Sequence, residues 1–199
     1  MTSDIKVAQA IGTIGCAVVA GGVGTLSVIC VPNLALPARQ PASTTSSRQV
    51  PGTPVAHLSH QWLDLYDRGK VTFPGIAVTA SIAHGYIAWA LRHTPGPGLL
   101  GCSWSRYYLA TIAITMGIVP YTLVVMAKTN NALKAHATRD DASAAEGTKG
   151  MVVSEQEKAQ RAKQDGEVPG LLQKWAALNL TRAVLPLVGA ALGFYAATA

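Results

Sequence analysis

Charge is the first thing this sequence is short of. Only 13% of its 199 residues are Asp, Glu, Lys or Arg, about half the soluble norm of roughly 25%. A water-soluble surface of ordinary composition is therefore excluded for much of the chain. Acids are scarcer still than bases, leaving a formal net charge of +6. The basic residues lie in polar stretches that also carry acids, and no aromatics alternate with them, so nucleic acid is not the partner this charge points to. Cysteine is confined to Cys16, Cys30 and Cys102. No CxxC or Cys/His spacing occurs, which argues against a zinc framework and leaves the cysteines as small apolar packing residues. Internal repeats are also absent, which weighs against a transporter built from paired halves.

What the sequence has in quantity is apolar residues, 49% of the total, gathered into four blocks. The first covers 7–31, and the others cover 71–91, 107–127 and 175–198. A helix needs about 20 apolar residues to cross a bilayer core, and each block is long enough. The first competes with a cleavable signal peptide, since Lys6 precedes it. It exceeds an apolar signal region of about 7–15 residues and reads as a retained helix ending near Pro32. Ala20 and Gly24 form a small-xxx-small pair within it, suited to close helix packing. The fold class expected is all-α: one integral membrane domain, 1–199, holding a four-helix bundle.

Three polar segments separate the blocks. Residues 36–55, rich in Pro, Ser and Thr, read as a loop. In 57–70, His60, Trp62, Leu65, Tyr66 and Gly69 fall near helical spacing, which predicts an amphipathic helix on the membrane surface between the first two spans. Residues 138–170 are polar and low in aromatics and read as a mobile loop with a helical stretch around 154–164. Lys and Arg concentrate in the first and third connections, and the positive-inside rule puts both in the cytosol.

Several residues exceed what a plain anchor needs. Arg182 lies about two turns inside the fourth block, where an unpaired arginine costs about 2.5 kcal/mol or more. It either snorkels to the interface or faces an internal pocket. Trp175, Asn179, Arg182, Pro186, Gly189 and Gly193 recur at steps of three and four, so they share a face, and Gly189 and Gly193 form GxxxG. On the third block, Thr122, Met126, Thr129, Asn130 and Leu133 share another. Thr122 is free to bond back to its own helix, Asn130 to cap it, and Pro120 to kink it. His84, inside the second block, is read either as an interhelical hydrogen-bonding residue or as a general base. His57, His60 and Asp64 have spacings that would suit a metal on one helix face, but no metal site is assigned.

Three stretches resemble the anthrone oxygenase family of fungal polyketide pathways. They are Trp62-x3-Tyr66-x2-Gly69, then Pro120-Tyr121-Thr122-x3-Met126-x2-Thr129-Asn130-x2-Leu133, then Trp175-x3-Asn179-x2-Arg182. With the four-helix layout, the resemblance covers the chain from about Gln61 onward and the first helix. Asn131 stands where the family pattern has an acid, and 138–170 is longer than the pattern requires. The resemblance implies oxidation of an anthrone (an emodin-anthrone-like polyketide) to the anthraquinone, with molecular oxygen as co-substrate and no metal, flavin or haem cofactor. It implies substrate-binding roles for Trp62, Tyr66, Thr122 and Asn130, and for Asn179 and Arg182 as donors to the oxyanion. His84 as first choice of base and His60 as second rest on chemistry alone. The partners expected are a small aromatic polyketide and the lipid of an endoplasmic-reticulum or related endomembrane, and homo-oligomerisation is left open. A non-catalytic scaffold and a transporter subunit are the rival classes.

Overall fold

The computed structural model describes residues 2–34, 55–96, 103–147 and 154–199. The segment 36–54, expected to be a loop, and Cys102 lie outside the described residues. The described secondary structure is helical: α1 (Ser3–Thr25), α2 (Val31–Leu34), α3 (Val55–Ala90), α4 (Trp104–Met116), α5 (Ile118–Val124), α6 (Ala127–Gly147), α7 (Glu155–Asp165) and α8 (Val168–Thr198). Four stretches, Ser3–Leu34, His57–Ala90, Trp104–Val124 and Glu155–Thr198, are long and apolar enough to cross a membrane. The shortest has 21 residues and extends about 32 Å, matching a hydrocarbon core of about 30 Å. No more than 33% of the apolar window of any span is buried within the protein. Most of the apolar surface therefore has lipid as its partner, and the protein is an all-α membrane protein.

The bundle closes through glycine. On α1 the buried residues Ile5, Ala8, Gln9, Gly12, Cys16, Val19, Ala20 and Val23 form one stripe, which packs against both α3 and α8. A Cβ at Gly12 would collide with the His84 ring, one at Gly22 with Phe73, and one at Gly189 with Thr115 Oγ1. The GxxxG of α8 thus serves three neighbours: Gly189 admits α4, and Gly193 admits His84 of α3 and Thr13 of α1. Gly24 does not behave as expected. A Cβ there meets nothing within 4 Å, because the stripe facing protein runs through Gly12, Gly15 and Gly22 instead.

Proline sets the irregularities. Before Pro32 the first span widens into a π-helical turn, Leu26–Cys30, where the Val31 N–H bonds to the Leu26 carbonyl. The extra residue relieves the clash between the proline ring and the preceding turn, so the helix passes the proline as α2, Val31–Leu34. Pro120 lacks the N–H that would reach the Met116 carbonyl, and the third span breaks there into α4 and α5 at Gly117. A second break follows, where Val125 and Met126 N–H groups both donate to Tyr121 O.

One expectation about the polar segments changes. Residues 57–70 do not form a separate interfacial helix: they continue without interruption into the second span as the 36-residue α3. No proline interrupts the helix before Pro74. Its apolar face is also covered by protein rather than lipid. Leu58 and Trp62 are buried with Val31, Met126, Leu133, Val168, Leu172 and Trp175. In 138–170 the helical stretch expected around 154–164 is present as α7, and the described residues 138–147 before it are helical too. α6 runs to Gly147, and α7 begins at Ser154 with a capping box in which Ser154 and Glu157 exchange hydrogen bonds. Arg139 ties the two, donating to Asp165 at 2.6 Å and Gln164 at 2.9 Å.

Candidate active site

Beside the core around Trp62 and Trp175 lies a cavity of about 230 Å³. Its walls come from four places: Leu26 in the π-helical turn; Leu65, Tyr66, Gly69, Lys70, Phe73 and Pro74 on α3; Ile118, Val119, Thr122 and Leu123 on α5; and Trp175 and Arg182 on α8. The α3 liners follow helical spacing, 66, 69, 70, 73, so one face of one helix supplies nearly half the wall. The lining is predominantly apolar, with few polar groups, as expected of a small-molecule site.

Arg182 is the charged group of the interior. Its Nη1 donates to Thr122 Oγ1 at 2.8 Å, and Thr122 donates in turn to Ile118 O at 2.7 Å. The threonine thus does bond back to its helix, as any membrane threonine is free to do, and carries the arginine as well. Arg182 Nε is buried and has no partner. Among the described residues no carboxylate lines the cavity beside this guanidinium. An arginine lining a low-dielectric cavity is a ready site for an anion or a developing oxyanion.

The aromatic wall is layered. Tyr66 stacks on Trp62, with centroids 5.2 Å apart and planes at 24°, and Trp62 meets Trp175 edge-on at 5.9 Å. Lys134 of α6 lies over the Tyr66 ring, 4.5 Å from its centroid, within cation–π range. Trp175 is held by its Nε1, which donates to Asn130 Oδ1 at 2.9 Å. Asn130 therefore acts on the cavity through Trp175. It neither caps nor ends its helix, which continues to Gly147.

The remaining expected residues are placed elsewhere. Asn179 is fully buried and donates through Nδ2 to Val23 O and Ser27 Oγ, each at 2.9 Å. It fastens α8 to α1 at the π-helical turn, while its Oδ1 has no partner. His60 is partly buried on α3 and is not a cavity liner. His84 lies eleven residues beyond Phe73 on the same helix, about 16 Å further along it. It is fully buried between Gly12 and Gly193, 5.7 Å from the Tyr108 centroid. Neither ring nitrogen has a hydrogen-bond partner. Among the described residues no group of three His, Cys, Asp or Glu side chains converges to hold a metal, so His57, His60 and Asp64 do not form such a cluster. Of the liners, Leu26, Lys70 and Phe73 are not legible as site residues from the sequence motifs. The signal for Lys70 and Phe73 is their helical spacing from Tyr66.

The sequence matches the family described as anthrone oxygenase over residues 62–192, a stretch that contains every cavity liner except Leu26. It is 31% identical over 174 residues to an anthrone oxygenase of Claviceps purpurea, covering 87% of this chain and 79% of that protein. It is 34% identical over 142 residues to one from Aspergillus fumigatus, covering 71% of each. A third, from Paecilomyces divaricatus, is 29% identical over 186 residues, 94% of this chain and 92% of its own. No solved structure matches the chain. With the family pattern spanning more than half its length and laid around one cavity, this chain belongs to the anthrone oxygenase family.

Proposed function

We propose that the chain oxidises a polyketide-derived anthrone to the corresponding anthraquinone, with molecular oxygen as co-substrate, and that the Arg182 cavity is where this occurs. The observation that carries the reading is the partly buried Arg182, with one guanidinium donor committed to Thr122, in the wall of an apolar cavity whose described lining holds no carboxylate. The relatives named above are anthrone oxygenases, and another from Aspergillus flavus is a noranthrone monooxygenase, 30% identical over 173 residues.

The chemistry follows from the substrate. The anthrone methylene is flanked by two aryl rings conjugated to the carbonyl. Loss of one of its protons places negative charge on the carbonyl oxygen, and Arg182 stabilises that oxyanion in a low-dielectric site. The anion is electron-rich enough to reduce oxygen. One electron passes to O2, the carbon radical and superoxide combine at the former methylene, and the peroxide takes up a proton. Loss of the second methylene proton then expels hydroxide and forms the new carbonyl. One O2 is consumed and one water released per anthrone. The electrons come from the substrate, so no cofactor is assigned. Tyr66 and Trp175 hold the flat ring system, with Trp62 and Asn130 supporting them from behind. The released proton leaves by the wet end of the cavity, where Lys70 and Asp67 have side chains 50% and 48% exposed. His84 as the base is not supported by this geometry, since it lies outside the lining.

We assign the protein to the endoplasmic reticulum or a related endomembrane, with the basic connections facing the cytosol. The test is membranes carrying this chain, given an anthrone under air, with and without a chelator. Quinone formation well above the spontaneous rate and indifferent to chelation is expected. No acceleration across several anthrones would overturn the reading, and loss on chelation would redirect it to a metal.

A further inference from the structure

Two of the cavity liners are themselves surface residues: Lys70 on α3 and Leu123 on α5. Leu123 is 69% exposed, so at this point the cavity reaches the outside of the bundle. The opening lies between α3 and α5. α5 is a seven-residue helix set between two breaks, and it rests on α8 and on its chain neighbours, with α3 not among its main packing partners. Depth is fixed by charge. Lys70, Lys128 and Lys174 mark one face of the membrane. Leu123 stands five residues before Lys128, about 7 Å deeper, and Arg182 stands eight residues past Lys174, about 12 Å deeper. The opening thus runs from the headgroup boundary, at Lys70, into the acyl region, at Leu123.

We propose that the substrate enters sideways from the bilayer, through a portal between α3 and α5 whose lips are Lys70 and Leu123, in the leaflet on the positively charged side. The proposal rests on the Arg182 cavity being the active site. A flat polycyclic phenol partitions to the headgroup boundary, with rings among acyl chains and hydroxyls toward water. One lip of this portal suits each part. The path from there to Arg182 is bordered by Phe73, Pro74 and Val119 and crosses no other charge.

The experiment uses the full chain carrying Lys70→Cys and Leu123→Cys, with Cys30→Ser and Cys102→Ser, in liposomes containing an anthrone. Bridging the two thiols with a bis-methanethiosulfonate is expected to slow quinone formation at least about ten-fold relative to the same preparation before bridging, and a thiol reductant should restore it. A bridged protein, verified by mass, that turns over at the unbridged rate overturns the portal. A second measurement does not depend on turnover. Anthraquinone dissolved in the bilayer should slow maleimide labelling of Leu123→Cys several-fold, and leave unchanged that of Val28→Cys, a lipid-facing position outside the cavity. Equal labelling with and without anthraquinone overturns the portal. If labelling is protected but no preparation oxidises an anthrone, the portal stands and the proposed reaction falls.

Discussion

Arg182 and Thr122 face each other across the α5–α8 interface, joined by a hydrogen bond of 2.8 Å from Nη1 to Oγ1. The threonine hydroxyl spends its own proton on the Ile118 carbonyl at 2.7 Å. It is therefore fixed as an acceptor toward the guanidinium. The arginine is aimed by a short helix that exists because Pro120 broke the span.

Removal of the guanidinium gives the sharpest expectation. Arg182→Ala should lower the rate of quinone formation by about 100-fold or more, the usual scale for loss of an oxyanion donor in a closed site. Arg182→Lys keeps the charge but loses the fork and the Nε donor, and should recover only part of the rate. Full activity in Arg182→Lys would instead suit a scaffold that needs only charge and packing.

Thr122 should matter through Arg182. A hydrogen bond to a charged group contributes about 1.5–3 kcal/mol, so Thr122→Val is expected to cost about ten-fold or more in kcat while the protein still reaches the membrane. Thr122→Ser keeps the hydroxyl and should restore most of the rate. A valine variant with unchanged kcat would show that the arginine needs no such aim.

Asn179 is expected to act on stability. Its Nδ2 bridges Val23 O and Ser27 Oγ, and truncation leaves buried polar atoms short of a partner at about 1–3 kcal/mol. Asn179→Ala should lower the thermal midpoint in detergent, with activity per folded molecule nearly retained. A large fall in kcat at unchanged midpoint would return Asn179 to the oxyanion role expected from the motif.

Gly12 and His84 should be coupled. An alanine at Gly12 collides with the imidazole, and overpacking costs about 1–3 kcal/mol. In a His84→Ala background the space is open, so Gly12→Ala should cost much less there. The coupling energy is read from a double-mutant cycle of unfolding in detergent. Additive effects would contradict the slot in which His84 sits. If His84→Ala abolishes turnover without lowering the midpoint, His84 acts in the chemistry.

How much was legible in the sequence can be followed residue by residue. Four apolar blocks of bilayer length determined four spans, because backbone polar groups in lipid must bond internally and a helix alone does this within one segment. The polar stripe of α8 was equally legible, since helical period alone puts Trp175, Asn179 and Arg182 on one face. The sequence could not say which neighbour each would meet. Trp62 had the spacing of an interfacial residue, yet α6 and α8 cover it. Asn179 and Arg182 lie three residues apart on one stripe, yet one ties α8 to α1 and the other opens into a cavity. His84 looked like a base, yet Gly12 and Gly193 close around it. Periodicity fixes a direction around a helix axis, but helix crossing, the π-helical turn before Pro32 and the break at Gly117 decide what stands in that direction. The residues that can do chemistry were thus written in the chain, and only the tertiary packing determined which of them share a cavity.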